Sequence, residues 1–163
     1  MQFVIEQALH ASPADVQDML LHPTFLVARA ELPKLGDSEV LERTQDAGTA
    51  RLRVRMRFTG ELSSAVTAVV DAAKLTWIDD ATFDFTQHAA RHEILPDHYP
   101  DRLSAGYDDT LTAAGDGARR QLQGELKVRV PIVGRRVEQV IVDGMRDYAE
   151  GEAALLNDFL RRA

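Results

Sequence analysis

The last thirty-two residues of the chain constrain its fold more than any other stretch. From Ile132 to Ala163 no proline occurs. Val133, Val137, Val140, Ile141, Met145, Tyr148, Leu155, Leu156, Phe159 and Leu160 recur there at steps of three and four. That spacing predicts one amphipathic helix of about 28 residues, on the order of 42 Å long. A helix of that length needs an equally long surface on which to bury its apolar stripe.

The middle of the chain supplies that surface. In Thr49 to Phe58, Ala50, Leu52, Val54, Met56 and Phe58 alternate with Arg51, Arg53, Arg55 and Arg57. Period two over ten residues predicts a strand with one buried and one wet face. Ala118 to Val130 has the same pattern, with Leu122, Leu126, Val128 and Val130 inward. Leu103 to Ala113 is a strand with Leu103, Ala105, Tyr107 and Leu111 on one face. Gly115-Asp116-Gly117 forms the hairpin between these two.

Further strands are expected at Gln2 to Leu9 (Phe3, Ile5 and Leu9 inward), Ser38 to Asp46 and Lys74 to Ile78. Asp79-Asp80 reads as a turn, Thr82 to Ile94 as extended chain and Leu95 to Asp101 as a loop. Ser12-Pro13-Ala14-Asp15 starts a helix reaching about Leu21, with Ser12 as cap and proline at the first helical position. His22-Pro23 breaks it, and Thr24 is placed to cap a second short helix. Glu61 to Ala73 reads as a further helix, with Leu62, Val66, Val69 and Val70 on one side.

Composition narrows the function classes. The chain has 163 residues, suited to a single domain spanning 1–163. Its formal net charge is −7, which disfavours a general nucleic-acid binder. It has no cysteine, which excludes disulfides, thiolate nucleophiles and Cys-ligated metal sites. No signal-like opening and no run of about 18 apolar residues is visible, so a soluble cytoplasmic protein is expected. No cofactor motif is present: there is no Gly-rich phosphate loop, no His-Glu-x-x-His and no Gly-x-Ser-x-Gly. Oligomeric state is not legible.

The single-face strands and the long helix fit one another in an α+β helix-grip fold. This is a curved antiparallel sheet of about six to seven strands around the C-terminal helix, with short helices after the first strand. Here the chain resembles a known family. Glu125-Leu-Lys-Val-Arg-Val-Pro-Ile-Val-Gly134, followed by Val137-Glu138, is similar to the strand-to-helix junction of an uncharacterised actinobacterial domain family in the START-like (birch-pollen-allergen-like, SRPBCC) superfamily. The opening Ser12-Pro13-Ala14-Asp15-Val16 is also similar. The resemblance implies a cavity between sheet and long helix. Superfamily members use it for lipids, sterols, polyketides and other apolar ligands, and a few are cyclases or hydrolases.

Under that reading Leu52, Val54, Met56, Phe58, Trp77, Phe85, Tyr107, Leu122, Met145 and Tyr148 are candidate ligand-binding residues, together with Phe83 and Leu126. The alternative is that they only fill a packed core. Asp109 shares strand parity with Tyr107 and Leu111 and should face inward. It is either a polar anchor or general acid in the cavity, or a carboxylate exposed at a bulge or paired with an arginine. His88 and His92 share parity but stand about 13 Å apart on a strand, too far to chelate one metal. The ladder Arg51 to Arg57 is either a phosphate or anionic-membrane patch, or a solvated face paired with groups such as Glu39 or Glu42. Arg135 and Arg136 sit in the first turn of the long helix, where its dipole disfavours cations, which hints at an external acidic partner or lipid headgroup. The helix Glu61 to Ala73 is either a lid over the cavity mouth or a static cover.

The leading expectation is a non-enzymatic binder or carrier of a hydrophobic small molecule or lipid, with Tyr107, Asp109 or Tyr148 orienting a polar end. The alternative is a polyketide cyclase- or hydrolase-like enzyme using an inward carboxylate and tyrosine. A third is an interaction module without a cavity. A continuous cavity above about 300 Å³ favours the binder. Asp109 inside it, beside Tyr107 or a histidine, favours the enzyme, and a filled interior favours the module.

Overall fold

The computed structural model describes residues 1–163. Strand β1 (Gln2–Leu9) leads into helices α1 (Pro13–Leu20) and α2 (Pro23–Arg29). Then come β2 (Leu35–Gln45), β3 (Thr49–Phe58), the one-turn helix α3 (Ser64–Thr67) and a 3-10 turn at Ala72–Lys74. β4 (Thr76–Asp84), β5 (Ala89–Pro96), β6 (Leu103–Ala114), β7 (Gly117–Val128) and α4 (Gly134–Arg162) complete the chain. The seven strands form one antiparallel sheet in the order β1-β7-β6-β5-β4-β3-β2. This is the helix-grip arrangement expected from the sequence.

The caps follow local chemistry. Ser12 Oγ accepts from Asp15 N–H, and Pro13 occupies the first turn of α1. At α2 the cap is His22, whose Nδ1 accepts from Thr24 N–H, and not Thr24 as expected. Gly115 closes the β6–β7 hairpin at φ 58, a conformation open to glycine.

Three expectations are corrected. Asp79-Asp80 is not a turn but the middle of β4. The turn follows instead at 85–88, where Asp84 Oδ1 accepts from Thr86 and Gln87 N–H. β4 therefore starts at Thr76 and outruns the expected Lys74 to Ile78. Glu61 to Ala73 is not one helix, since only Ser64–Thr67 and Ala72–Lys74 are helical. Val66, Thr67, Val69 and Val70 are β-branched and poor at propagating a helix, and Asp71 caps the second turn by accepting from Ala73 N–H. Finally, His88 does not share a strand with His92. It lies in the β4–β5 turn at φ 47, and its Nδ1 is 3.2 Å from Gln17 Oε1 on α1.

The core forms along the inner face. Leu52, Val54, Met56, Ala81, Phe83 and Ala90 pack beneath Leu21 and Leu26. Phe3, Ile5, Leu122 and Leu126 pack against Val142 and Ala149 of α4. Val16, Leu20 and Phe25 close one end against Leu156. Val66 and Val70 pack at the other against Val128 and Val137. α4 packs closely on β1 and β7 but stands off from β3, β4 and β5. That gap between helix and sheet leaves the space described next.

Outside, the arginine ladder is neutralised across strands. Arg51 and Arg53 share Asp80 (2.7 and 3.2 Å) and lie 3.9 Å from Glu42, Arg55 meets Asp97 at 3.2 Å and Arg57 pairs with Asp37. Of the two expected partners, Glu42 takes part.

Candidate functional site

A cavity of about 190 Å³ lies between the sheet and α4, and 25 of the 37 residues around it are hydrophobic. On α4 it runs from Val137 to Glu152. Fifteen residue steps at about 1.5 Å each make it about 22 Å long, so it is slender. One end reaches the surface beside Lys74, His98 and Arg102. The other ends on a polar floor of Arg29, Asp79, His92, Tyr107, Arg120, Tyr148 and Glu152.

Eight expected residues border this cavity: Met56, Phe58, Trp77, Tyr107, Leu122, Leu126, Met145 and Tyr148. Five do not. Leu52, Val54 and Phe83 border only a void of about 10 Å³ behind the floor. Phe85 sits at the start of the β4–β5 turn, packed on the edge of the core. Asp109 is buried behind the floor and bound to an arginine, the second of the two alternatives weighed for it. The cavity is smaller than the about 300 Å³ set as the mark of a binder, yet the interior is not filled.

Sheet register builds the floor. One cross-strand row reads Phe3 on β1, Gly124 on β7, Tyr107 on β6, His92 on β5 and Ala81 on β4. Gly124 leaves room between its neighbours: a Cβ there would lie 2.5 Å from Tyr107 Cβ and 2.2 Å from Gly106 O. The Phe3 and Tyr107 rings approach to 6.2 Å across that gap. Tyr107 stacks on His92 with ring centroids 4.2 Å apart and 12° between planes. Asp79, opposite Ile94, then receives two hydrogen bonds. His92 Nδ1 lies 2.8 Å from Asp79 Oδ1, and Tyr107 O–H donates to Oδ2 at 3.2 Å.

Behind this row Arg120 holds the buried charges together. Its Nε and Nη2 donate to Asp109 at 2.6 to 3.0 Å. Its Nη1 donates to Glu152 Oε2 at 2.7 Å and to Gln7 Oε1 at 3.0 Å. Gln7 Nε2 in turn donates to Ala149 O at 2.6 Å, tying β1 to α4. Arg29 adds one bond, from Nη1 to Glu152 Oε1 at 3.3 Å.

Burial works to raise the Glu152 carboxyl, but the Arg120 and Arg29 guanidinium charges outweigh it and hold it below the usual range. Burial also opposes the charged form of Asp79. The His92 ring, Arg29 and the Tyr107 hydroxyl nevertheless hold it low. Burial drives both tyrosine hydroxyls, at Tyr107 and Tyr148, well above their ordinary value, so both stay protonated donors.

Two polar atoms in this floor have no partner: His92 Nε2 and the Tyr148 hydroxyl. His92 Nε2 stands 3.8 Å from Asp109 Oδ2, beyond hydrogen-bond reach. Buried unpaired polar atoms are uncommon in folded proteins and point to function or to a missing partner. No group of three or more His, Asp or Glu is arranged to hold a metal ion.

Sequence reasoning passed over Arg29, Asp79, Arg120 and Glu152 as floor residues. Parity did hold the signal for Arg120, which shares the inward face of β7 with Ala118 and Leu122. Glu152 lies four residues after Tyr148 and four before Leu156, on the inward stripe of α4.

Comparison with solved structures bears on the fold. The chain superposes on TTHA0849 from Thermus thermophilus with TM-score 0.68 and 16% identity, covering 99% of this chain and 98% of that one. The Zhui aromatase/cyclase from Streptomyces sp. R1128 gives TM-score 0.67 at 12% identity, covering 99% and 94%. Norcoclaurine synthase from Thalictrum flavum gives 0.63 at 15%, covering 100% and 87%. At these identities the likeness is one of fold, the START-like helix-grip. No curated protein matches the chain. No helix is long and apolar enough to cross a membrane. A family model covers residues 5–160, and by that match the chain belongs to the family described as "Protein of unknown function (DUF2505)".

Proposed function

We propose that the protein binds a slender, mainly apolar small molecule whose polar end lies against the floor. The observation that carries this reading is the continuous apolar cavity ending on two unpartnered polar atoms, Tyr148 Oη and His92 Nε2. A ligand oxygen accepting from the Tyr148 hydroxyl would satisfy a group that the protein itself leaves unsatisfied. The apolar body would contribute about 25 cal/mol per Å² removed from water. Asp109 has no direct part, because Arg120 saturates it.

Native mass spectrometry of protein purified from its natural host tests the reading. A reproducible apolar adduct is expected, and it should weaken in Tyr148→Phe. In ligand-free protein the same variant should be unchanged or more stable by up to about 1 kcal/mol, since it loses an unsatisfied hydroxyl. A chain that carries no adduct and gains no thermal stability from any of a panel of apolar compounds would end the case.

One observation favours the second reading, an enzyme of cyclase or hydrolase type. Asp79 holds the His92 ring through Nδ1 while Nε2 has no hydrogen-bond partner, the arrangement a general base requires. On this reading Asp79 and Tyr107 take the roles first assigned to an inward carboxylate and tyrosine. Chemical change of a bound compound, abolished by His92→Gln with binding retained, would favour it over simple carriage.

A further inference from the structure

The segment joining β7 to α4 is unlike the rest of the chain. Lys127, Arg129, Arg135 and Arg136 place four cations in ten residues with no carboxylate among them, in a chain with 19 basic and 26 acidic residues. None of the four forms an ion pair; Arg129 spends its side chain on Ser104 Oγ at 3.2 Å. Arg135 and Arg136 are exposed in the first turn of α4, where the helix dipole opposes them. The next carboxylate, Glu138, is turned inward to accept from Val128 N–H at 2.9 Å.

Between these cations stands Ile132, wholly exposed at 104% and held at φ 70. A β-branched residue in the left-handed region is a true outlier; its backbone lies in the turn closed by Gly134 N–H donating to Val130 O at 3.0 Å, but nothing in the fold covers its side chain. The neighbouring loop is tied in by Arg129 N–H donating to Arg102 O at 2.7 Å. Arg102 has no carboxylate partner and lies 5.6 Å over the Tyr99 ring, though the exposed Asp101 beside it offsets one charge. Arg102, Tyr99, Val130 and Val137 also line the open end of the cavity.

We propose that this end of the molecule docks on an anionic bilayer surface, with Ile132 entering the acyl boundary and the arginines meeting headgroup phosphates. Charge complementarity selects the partner: the acidic excess lies in the rest of the chain, where the arginine ladder is already paired with its own carboxylates, while this end presents a cluster of cations without ion pairs. Docking there sets the cavity mouth against the lipid.

Vesicle flotation tests this without reference to any cavity ligand. The chain should float with phosphatidylcholine vesicles containing about 25% phosphatidylglycerol at low salt, not with phosphatidylcholine alone. About 0.5 M salt should release it. Replacing both arginines (Arg135→Gln with Arg136→Gln) should lower partitioning by about tenfold or more. Ile132→Gly should weaken binding while thermal stability holds or rises, because glycine accepts that φ. Failure to float with the anionic vesicles, equal binding to both vesicle types, or a double variant that partitions like the parent would overturn the proposal. So would binding of duplex DNA in place of vesicles with the same salt dependence.

Discussion

Arg120 meets Asp109, Glu152 and Gln7, and those three residues come from β6, α4 and β1. One guanidinium thus joins three elements inside the core. A buried charge that loses its partner is costly, whereas a satisfied network is nearly neutral against an apolar replacement. Arg120→Met leaves Asp109 buried without its guanidinium partner, and Glu152 with Arg29 Nη1 at 3.3 Å and Gln7 Nε2 at 3.4 Å. A loss of about 3–5 kcal/mol in urea unfolding is expected. The floor also sets an acid limit. Asp79 and Glu152 are depressed below their ordinary values of 3.8 and 4.5. Groups with lowered folded pKa contribute stability that is complete above the unfolded value and lost as pH falls through the folded one. The urea midpoint should therefore be insensitive to these groups above about pH 5 and fall below about pH 4, and Glu152→Gln should flatten that fall. Little of this was legible in advance. Inward parity was read for the apolar residues of β7, and Arg120 on the same face was passed over. Strand parity with Tyr107 and Leu111 does put Asp109 inward, where it is buried and paired with Arg120.

At the scale of elements, regular alternation and caps were the legible parts. β3 and β7 repeat with period two because one face is covered and the other wet, and the long stripe of α4 has a single partner surface. What failed was local propensity read without its tertiary partners. Asp79-Asp80 looks like a turn until His92, Tyr107 and Arg51 supply hydrogen bonds that let both carboxylates sit in a strand. Val66 to Val70 has helical spacing, but β-branching limits it to one turn. The row Phe3–Gly124–Tyr107–His92 shows register doing what sequence could not display. Gly124→Ala pushes a methyl into Tyr107 and the Gly106 carbonyl, so the ring must move toward the cavity or the strands must part. A loss of about 1–3 kcal/mol is expected, with a changed His92 imidazole signal in NMR as the specific mark of lost stacking.

For the molecule as a whole, the ends of α4 divide the labour. Near its C-terminal half, Glu152 and Leu156 seal the floor and the core beside it. Near its start, Val137 and Ile141 border the open cavity and Arg135 and Arg136 face outward. The open end of the cavity and the arginines without ion pairs thus lie at the same pole, while the ion pairs of the arginine ladder neutralise its face of the sheet. Overall architecture was readable because a long helix and single-faced strands have few ways to satisfy each other. Cavity size was not, because it depends on how far α4 stands from β3 to β5.

The chain's one tryptophan, Trp77, forms part of the cavity wall. The molecule therefore carries its own optical reporter where a guest would sit. Indole emission should shift toward the blue, or be quenched, as water leaves that wall, and a titration can be read without attaching a dye.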